Sequence, residues 1–204
     1  MKKWLLISVV AVMALALQAC APKKKAENDC GFVQNVYGER ISWKTGSPVV
    51  LNIHESVPAQ YYPAVEAAIK DWESSSGKVL FKIGAYGVGG PIKPRQDGVN
   101  VIYWMDTWEA NKTSEQARTS VYWVGSEIKE ADIRINHKNF NYYVDEASGS
   151  GDVHFSSLLV HELGHVLGLK HKDGQNSVMA TYLSSLVKRD VVSTADLSSL
   201  SCEY

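Results

Sequence analysis

Residues 161–171 read HELGHVLGLKH, and they constrain this 204-residue chain more than any other part of its sequence. Residues four apart lie on one face of an α-helix, about 6 Å from each other, so His161 and His165 can reach a common ion. If the helix continued, His171 would lie about 9 Å further along its axis and be rotated by about 240°. His171 can therefore join the other two histidines only if the helix ends between them.

Gly168 allows this break, because glycine enters the left-handed conformation at a helix C-terminus without steric cost. We expect a helix up to about Gly168, followed by a turn that brings His171 back. Three neutral imidazoles leave the fourth position of a zinc ion for water, which is typical of catalytic sites. Glu162 lies about 100° around the helix from His161, so it is poorly placed to bind the ion. It can instead act as general base toward the water and then as proton donor to the leaving amine.

The pattern is specific as well as chemically coherent. Its five fixed positions would arise by chance on the order of 10⁻⁷ times per starting position. They are His161, Glu162, His165, Gly168 and His171. The alternative is a core helix with incidental histidines, which would bury three titratable rings and a carboxylate without partners, at considerable cost. The sequence therefore predicts a catalytic zinc site.

This stretch resembles the extended zinc-binding motif of the metzincin peptidases and, within them, of the matrixins, which include the matrix metalloproteinases and their bacterial relatives. The resemblance implies zinc-dependent hydrolysis of peptide bonds, with Glu162 as the catalytic residue. The metal ligands that it implies are His161, His165 and His171. It also implies a methionine turn beneath the zinc, for which Met179 in SVMA is the candidate. Tyr182 is expected to form pocket wall, although a tyrosine near this turn is a fifth zinc ligand in some metzincins.

Apolar patterns along the chain predict an α+β domain of α/β type with one mixed sheet. Strands are predicted at 48–57, 78–87, 99–106, 119–125 and 130–137, the third of them buried on both faces. Helical spacing from Tyr62 to Trp72 predicts a long helix that Gly77 can end, and Ser193 or Thr194 can cap a short final helix. The resemblance implies the zincin fold of metzincins: a mostly parallel five-stranded sheet with an antiparallel edge strand, a long helix, the active-site helix and a C-terminal helix.

In the matrixins, the edge strand above the cleft accepts an extended peptide substrate antiparallel to itself. The similar segment here is TSVYWVG, and the implied substrate-binding residues are Ser120, Val121, Tyr122 and Trp123. The histidine- and aspartate-rich loop that holds structural zinc and calcium in matrix metalloproteinases has no match. We therefore expect one catalytic zinc ion and no calcium. We interpret His154, near Asp152, as a residue at the helix entry rather than as the ligand of a second metal.

The first 19 residues predict a secretory signal peptide, because Lys2 and Lys3 precede an apolar run too short to span a membrane. The run ends in LQAC, which resembles a bacterial lipobox and predicts a lipid on Cys20. Gln18 departs from the usual small residue, and ordinary cleavage near Ala19 is the alternative. Residues 20–29 would be the lipidated cysteine and a linker, and residues 30–204 the catalytic domain. The absence of aspartate after Cys20 favours an outer-membrane lipoprotein that faces the periplasm or the exterior.

If Cys20 carries lipid, Cys30 and Cys202 remain in an oxidising compartment, where a disulfide would tie the two ends of the domain together. The matrixin resemblance supports this pairing, since the family's final helix packs near the N-terminus of the catalytic domain. The competing interpretation is that Cys30 blocks the zinc, as the cysteine switch of matrix metalloproteinase propeptides does. Asp29 stands where that switch has an arginine.

The formal net charge of −1 gives no reason to expect a nucleic-acid partner. We expect a monomer that meets protein or peptide substrates and contacts the membrane only through its lipid anchor in the bacterial cell envelope. The leading hypothesis is a zinc endopeptidase, and the alternative is a non-catalytic zinc-binding envelope lipoprotein. Hydrolysis of cell-wall peptides is a variant of the first hypothesis with a different substrate.

Overall fold

The computed structural model describes residues 26–44, 48–173 and 176–204. The predicted signal peptide, Cys20 and the beginning of the linker lie outside these residues. No helix within the described ranges combines the length and the apolar character that crossing a membrane requires.

The described part of the chain forms seven strands and three α-helices. The strands are β1 (Val49–His54), β2 (Phe81–Val88), β3 (Asn100–Met105), β4 (Ala117–Val124), β5 (Glu127–Asn136), β6 (Tyr142–Tyr143) and β7 (Val153–His154). The α-helices are α1 (Tyr62–Ser76), α2 (Phe155–Val166) and α3 (Thr194–Leu200), and a short 3-10 helix, Ala59–Tyr61, precedes α1.

Strands β1 to β5 form one sheet in the order β2-β1-β3-β5-β4. The pairs β1–β2, β1–β3 and β3–β5 are parallel, and β4 pairs with β5 antiparallel at the edge of the sheet. This arrangement confirms the predicted mixed sheet with an antiparallel edge strand. All six residues of β3 are buried, because β3 lies in the middle of the sheet. This confirms its predicted burial on both faces.

Two features of the sheets differ from the sequence prediction. The segments predicted at 119–125 and 130–137 form one hairpin, since β5 begins at Glu127 and Val124 pairs directly with it. The turn holds Gly125 at φ +63°, a conformation that glycine adopts without strain. Strands β6 and β7, which pair parallel to each other, were not predicted because two-residue strands leave no periodic pattern.

Helices α1 and α2 pack against each other on one face of the sheet and close the main core around Leu51, Ile102 and Ile133. Trp72 of α1 is fully buried, and its indole Nε1 donates a hydrogen bond of 2.8 Å to the carbonyl of Val160 in α2. Helix α1 ends at Gly77, which has φ +68°, as predicted. The active-site helix is therefore anchored along its buried side by a large aromatic residue.

The two ends of the domain meet. A disulfide joins Cys30 to Cys202, so the predicted bridge is present and Cys30 offers no free thiolate for a cysteine switch. Glu203 accepts hydrogen bonds from Arg40 and Ser42 on the opposite end of the chain. Ser193 caps α3 through a reciprocal hydrogen-bond pair with Asp196, which decides between the two predicted caps.

Candidate active site

Three histidine rings converge at the C-terminal end of α2. The Nε2 atom of His165 lies 3.1 Å from Nε2 of His161 and 3.2 Å from Nε2 of His171. Among the described residues, these three form a group able to hold one metal ion. The structure thus brings together the three ligands that the sequence motif predicts.

In His161 and His165, the Nδ1 nitrogen lies within hydrogen-bond distance of a backbone carbonyl. His161 Nδ1 lies 2.8 Å from the carbonyl oxygen of Val178, and His165 Nδ1 lies 2.8 Å from that of Leu169. A carbonyl only accepts, so both rings donate from Nδ1 and keep the Nε2 lone pair for a ligand. This second hydrogen bond fixes both the tautomer and the orientation of each ring.

The donor set fits zinc. Burial lowers the pKa of His161 to about 3, and it also holds the pKa of His165 and of His171 below the usual histidine value. The rings are therefore neutral, as metal ligands must be. Zn–N distances of about 2.0–2.1 Å in a tetrahedral site place nitrogen ligands about 3.3 Å apart, close to the two Nε2 separations. The Nε2 atoms of His161 and His165 are both acceptors and cannot hydrogen-bond to each other, and a cation between them resolves that conflict.

The helix breaks where the sequence predicts. Helix α2 ends at Val166, and Gly168 has φ +94°, in the left-handed region. A Cβ at this position would overlap the backbone carbonyl oxygen of Ile41, so both the conformation and the space require glycine. The turn is held by the amide of Leu169, which donates to the carbonyl of Gly164, and it returns His171 to the other two rings.

Met179 lies beneath the histidines and is buried, in the place expected for a methionine turn. A Cβ on Gly164 of α2 would overlap the Met179 sulfur, so the helix and the methionine pack together without an intervening side chain. The turn is held by Asp196 of α3, whose carboxylate accepts hydrogen bonds from the hydroxyl of Ser177 and, at 3.2 Å, from the amide of Val178. Asp196 thus positions the carbonyl that orients His161.

Glu162 is buried beside the three rings. Its Oε2 accepts a hydrogen bond of 2.6 Å from the hydroxyl of Thr119 on the edge strand β4. Burial raises the pKa of Glu162 to about 7, while the Thr119 hydrogen bond acts in the opposite direction. A carboxyl with a pKa near neutrality can both take up and release a proton at physiological pH. The arrangement can therefore perform general acid–base chemistry next to a metal.

The histidines and Glu162 open into a cavity of about 540 Å³ between β4, α2 and the segment after Met179. From β4, the cavity is lined by Ala117, Arg118, Thr119, Val121 and Trp123. Of the four predicted substrate-binding residues, Val121 and Trp123 line it, whereas Ser120 and Tyr122 do not. Successive side chains of a strand point to opposite faces, which accounts for the alternation from Thr119 to Trp123. Tyr182 is 85% exposed and lines the cavity, as expected of pocket wall.

Other histidines have their own hydrogen-bond partners. His154 caps α2: its Nδ1 lies 2.7 Å from the hydroxyl of Ser157, and its Nε2 lies 3.1 Å from the carbonyl of Val144. The Asp152 carboxylate accepts hydrogen bonds from Ser148 and Gly149. His54 bonds to Ser56 and to the carbonyl of Gly90. His154 is therefore at the helix entry, as interpreted from the sequence.

Sequence reasoning missed three residues of the site. Thr119 contacts Glu162, Asp196 holds the methionine turn, and Arg189 lines the cavity. Thr119 and Arg189 belong to no local motif, and Asp196 belongs only to the cap of α3. Their partners at the site lie between 7 and 43 residues away along the chain. The only available signal for Thr119 was its place on the predicted edge strand, which does not reveal the contact with Glu162.

Comparison with known proteins agrees with this geometry. The family model described as Matrixin matches residues 92–203, which include β3 to β7, the three histidines and α3. A search of the curated proteins finds no match. The matched region is more than half of the chain and carries the whole histidine site. The chain belongs to the matrixin family, a family of zinc-dependent metallopeptidases.

Proposed function

We propose that this protein is a zinc-dependent endopeptidase in which Glu162 is the general base. The observation that carries the proposal is the convergence of three neutral imidazole nitrogens beside a buried carboxyl in a cleft below a free strand edge. A closed structural zinc site would have four protein ligands, but the group found among the described residues offers three.

In this mechanism the three Nε2 atoms would hold the ion, which would supply Lewis acidity toward the substrate carbonyl and the attacking water. Glu162 would take a proton from the water and pass it to the leaving amine. The hydroxyl of Thr119 holds Oε2 of Glu162 in one orientation. Val178 and Leu169 keep His161 and His165 in the tautomer that presents Nε2.

We further propose that the substrate is an extended polypeptide that pairs with β4. Within residues 26–44, 48–173 and 176–204, strand β4 pairs with β5 alone, so its other backbone edge can accept another strand. Val121 and Trp123 would then contact substrate side chains in the cavity, while Ser120 and Tyr122 would contribute backbone alone. No nucleic acid is needed, and a monomer suffices for this geometry.

We also propose that the protein is an exported lipoprotein of the bacterial cell envelope, anchored at Cys20 and facing the periplasm or the exterior. The signal-peptide pattern and the LQAC sequence support this location. The Cys30–Cys202 disulfide supports it as well, because such bonds persist mainly in oxidising compartments.

The test is the Glu162→Ala variant. We expect cleavage of an unfolded protein to fall by about 10²–10⁴-fold or more, because the general base is lost, while zinc remains bound at one ion per chain. Zinc content is measured by atomic absorption and cleavage by mass spectrometry. His165→Ala, which removes a ligand, and wild type with a chelator are the controls. Cleavage at the wild-type rate by Glu162→Ala would disprove the mechanism.

The same assay decides between the proposed function and its alternatives. Wild-type protein that binds one zinc ion but cleaves no peptide in a diverse library would favour the non-catalytic binding module. Release of fragments from purified peptidoglycan, without cleavage of ordinary polypeptides, would favour a cell-wall substrate.

A further inference from the structure

The cavity beside the histidines contains one cation without a carboxylate partner. Apart from the histidines, its charged lining residues are Glu115, Arg118, Glu162 and Arg189. Arg118 forms an ion pair with Glu115, and Glu162 accepts a hydrogen bond from Thr119. No ion pair joins Arg189 to any described carboxylate, and the residues outside the described ranges include no aspartate or glutamate.

Arg189 is held rigidly in the wall of the cavity. Its Nη1 donates to the carbonyl of Tyr182 at 2.6 Å, and its Nη2 donates to that of Ala180 at 2.9 Å. Its backbone amide donates to the hydroxyl of Ser157 in α2 at 2.7 Å. Arg189 is thus bonded to the active-site helix through its backbone and to the segment after Met179 through its guanidinium, and both of these elements line the cavity.

The neighbouring acids do not neutralise this charge. Asp173 and Asp196 lie close enough to favour the charged form of Arg189, but each is engaged elsewhere. Asp173 accepts hydrogen bonds from the amide and hydroxyl of Thr181, and Asp196 accepts them from the methionine turn and from Ser193. Burial lowers the pKa of Arg189. Its Nε is buried without a hydrogen-bond partner, so a ligand would meet the hydrogens of Nη1 and Nη2 that do not bond to Tyr182 and Ala180. A half-buried cation in this condition gains from an added anion.

We propose that Arg189 makes the cavity selective for an acidic side chain, so that the enzyme cleaves next to an aspartate or glutamate of its substrate. The inference rests on the proposed peptidase function and names its substrate class. The lining of the same cavity also includes the apolar residues Leu158, Ala180 and Leu183. A carboxylate that binds Arg189 there gains a charge-assisted hydrogen bond, which is stronger the less water surrounds it.

The opposing interpretation is that Arg189 only braces the wall segment, while the apolar part of the cavity takes an apolar side chain. The two interpretations differ in one measurable quantity, the preference for glutamate over glutamine. These side chains have the same shape, and a bracing arginine does not distinguish them. A cation that binds the substrate does.

The experiment starts with cleavage-site profiling of wild-type protein on a peptide library, which locates the position where acids are enriched. Two peptides that differ only by Glu or Gln at that position are then compared. We expect kcat/KM to be about tenfold or more higher for the Glu peptide, since one charge-assisted hydrogen bond is gained. A library profile without acid enrichment, or a ratio of one or below for the pair, overturns the proposal.

Variants assign the preference to the charge. Arg189→Met keeps the apolar stem without the charge and should bring the Glu/Gln ratio to about one. Arg189→Lys keeps the charge and should retain a preference for Glu, although reduced. Lys188→Met, which removes the exposed neighbouring cation outside the cavity, is the matched control and should leave the ratio unchanged. Melting temperature and zinc content show which variants are folded. If Arg189→Met does not fold, the Glu/Gln ratio of the wild-type protein decides the proposal.

A binding measurement separates the failure of this inference from the failure of the proposed function. The Glu162→Gln protein should bind a fluorescently labelled pool of peptides that carries Glu at one fixed position about tenfold more tightly than the same pool with Gln there, a comparison that needs no prior cleavage. If wild type cleaves no peptide but this difference persists, the peptidase proposal fails and the selectivity of the cavity stands. If peptides are cleaved and bound without preference for Glu, the peptidase stands and the role of Arg189 is wrong.

Discussion

At the scale of single residues, the chemistry of the site depends on the second hydrogen bond of each functional side chain. The carbonyls of Val178 and Leu169 fix the tautomers of His161 and His165. The hydroxyl of Thr119 orients the carboxylate of Glu162. Such outer contacts fix ring and carboxylate orientation in metal sites. Residues that touch neither substrate nor metal therefore have measurable effects on activity.

Thr119→Val should lower kcat by about tenfold, because valine keeps the shape of threonine but cannot hold the Glu162 carboxylate. Zinc content and KM should change little. Thr119→Ser restores the hydroxyl and should recover most of the lost kcat, which separates the hydrogen bond from packing. Steady-state kinetics on one peptide measures both variants, and equal losses in the two would contradict this role.

Asp132 predicts a pH dependence of stability. Burial, together with the charges of Glu130 and Asp97, raises its pKa from 3.8 to about 7, although the amides of Val101 and Arg95 donate to it. The folded protein therefore keeps this proton to a higher pH than the unfolded chain does. The contribution of the Asp132 carboxyl to the free energy of unfolding is complete below about pH 4 and is lost as the pH rises through about 7.

The free energy of unfolding of wild type should consequently fall, on the order of a few kcal/mol, between pH 5 and pH 8 relative to that of Asp132→Asn. Urea unfolding at the two pH values, in the presence of a chelator, measures the difference. Asp106→Asn, at an exposed acid, is the control. The same pH dependence in wild type and Asp132→Asn would show that the Asp132 carboxyl is not responsible.

At the scale of elements, the site depends on where α2 stops. The turn at Gly168 is braced from outside the helix, since the amide of Val33 donates to the carbonyl of Gly168 and the amide of Lys170 donates to that of Gly31. The sequence predicts that the helix ends near Gly168, but it does not predict these two hydrogen bonds. A strand-like contact between the N-terminal segment and the turn keeps His171 facing the other two rings.

Gly168→Ala should destabilise the protein by about 1–3 kcal/mol and weaken zinc binding, because alanine is strained at positive φ and its Cβ would overlap the Ile41 carbonyl. Chelator competition measures zinc affinity and urea unfolding measures stability. Gly151→Ala is the matched control, since Gly151 has open space around its position and no positive φ. Loss of stability without loss of zinc affinity would separate the turn from the metal site.

At the scale of the whole molecule, the disulfide joins the N-terminal segment, which supports the turn at Gly168, to the C-terminal end of the chain. Cys30 precedes Gly31, whose carbonyl holds the turn before His171, and Cys202 follows α3, whose Asp196 holds the methionine turn. The bridge closes a loop across a sequence separation of 172 residues. Both supports of the site are therefore joined by one covalent bond.

The Cys30→Ser/Cys202→Ser double variant should lose about 2–5 kcal/mol of unfolding free energy and bind zinc more weakly. Urea unfolding and chelator competition measure the two effects. Reductant should produce the same changes in wild type and none in the double variant. If reduced wild type keeps its full zinc affinity, the bridge supports the fold but not the site.

The sequence by itself determined the candidate residues of the site. His161, Glu162 and His165 are placed relative to one another by helix geometry, and Gly168 predicts the turn that returns His171. Local periodicity also predicted the five main strands and the three helices. Their exact ends and the β4–β5 hairpin became apparent only from the strand pairing in the structure. Strand and helix patterns are local, which makes them readable without the tertiary structure.

Only the tertiary structure decided what surrounds that chemistry. Thr119 reaches Glu162 across 43 residues of chain, and Arg189 enters the cavity from a segment without any motif. Asp196 holds the methionine turn from another helix. These contacts depend on how the sheet, α2 and α3 pack, and no local spacing encodes packing between distant segments. The sequence thus supplies the residues of the proposed reaction, whereas the fold sets their orientation and the shape and charge of the cleft.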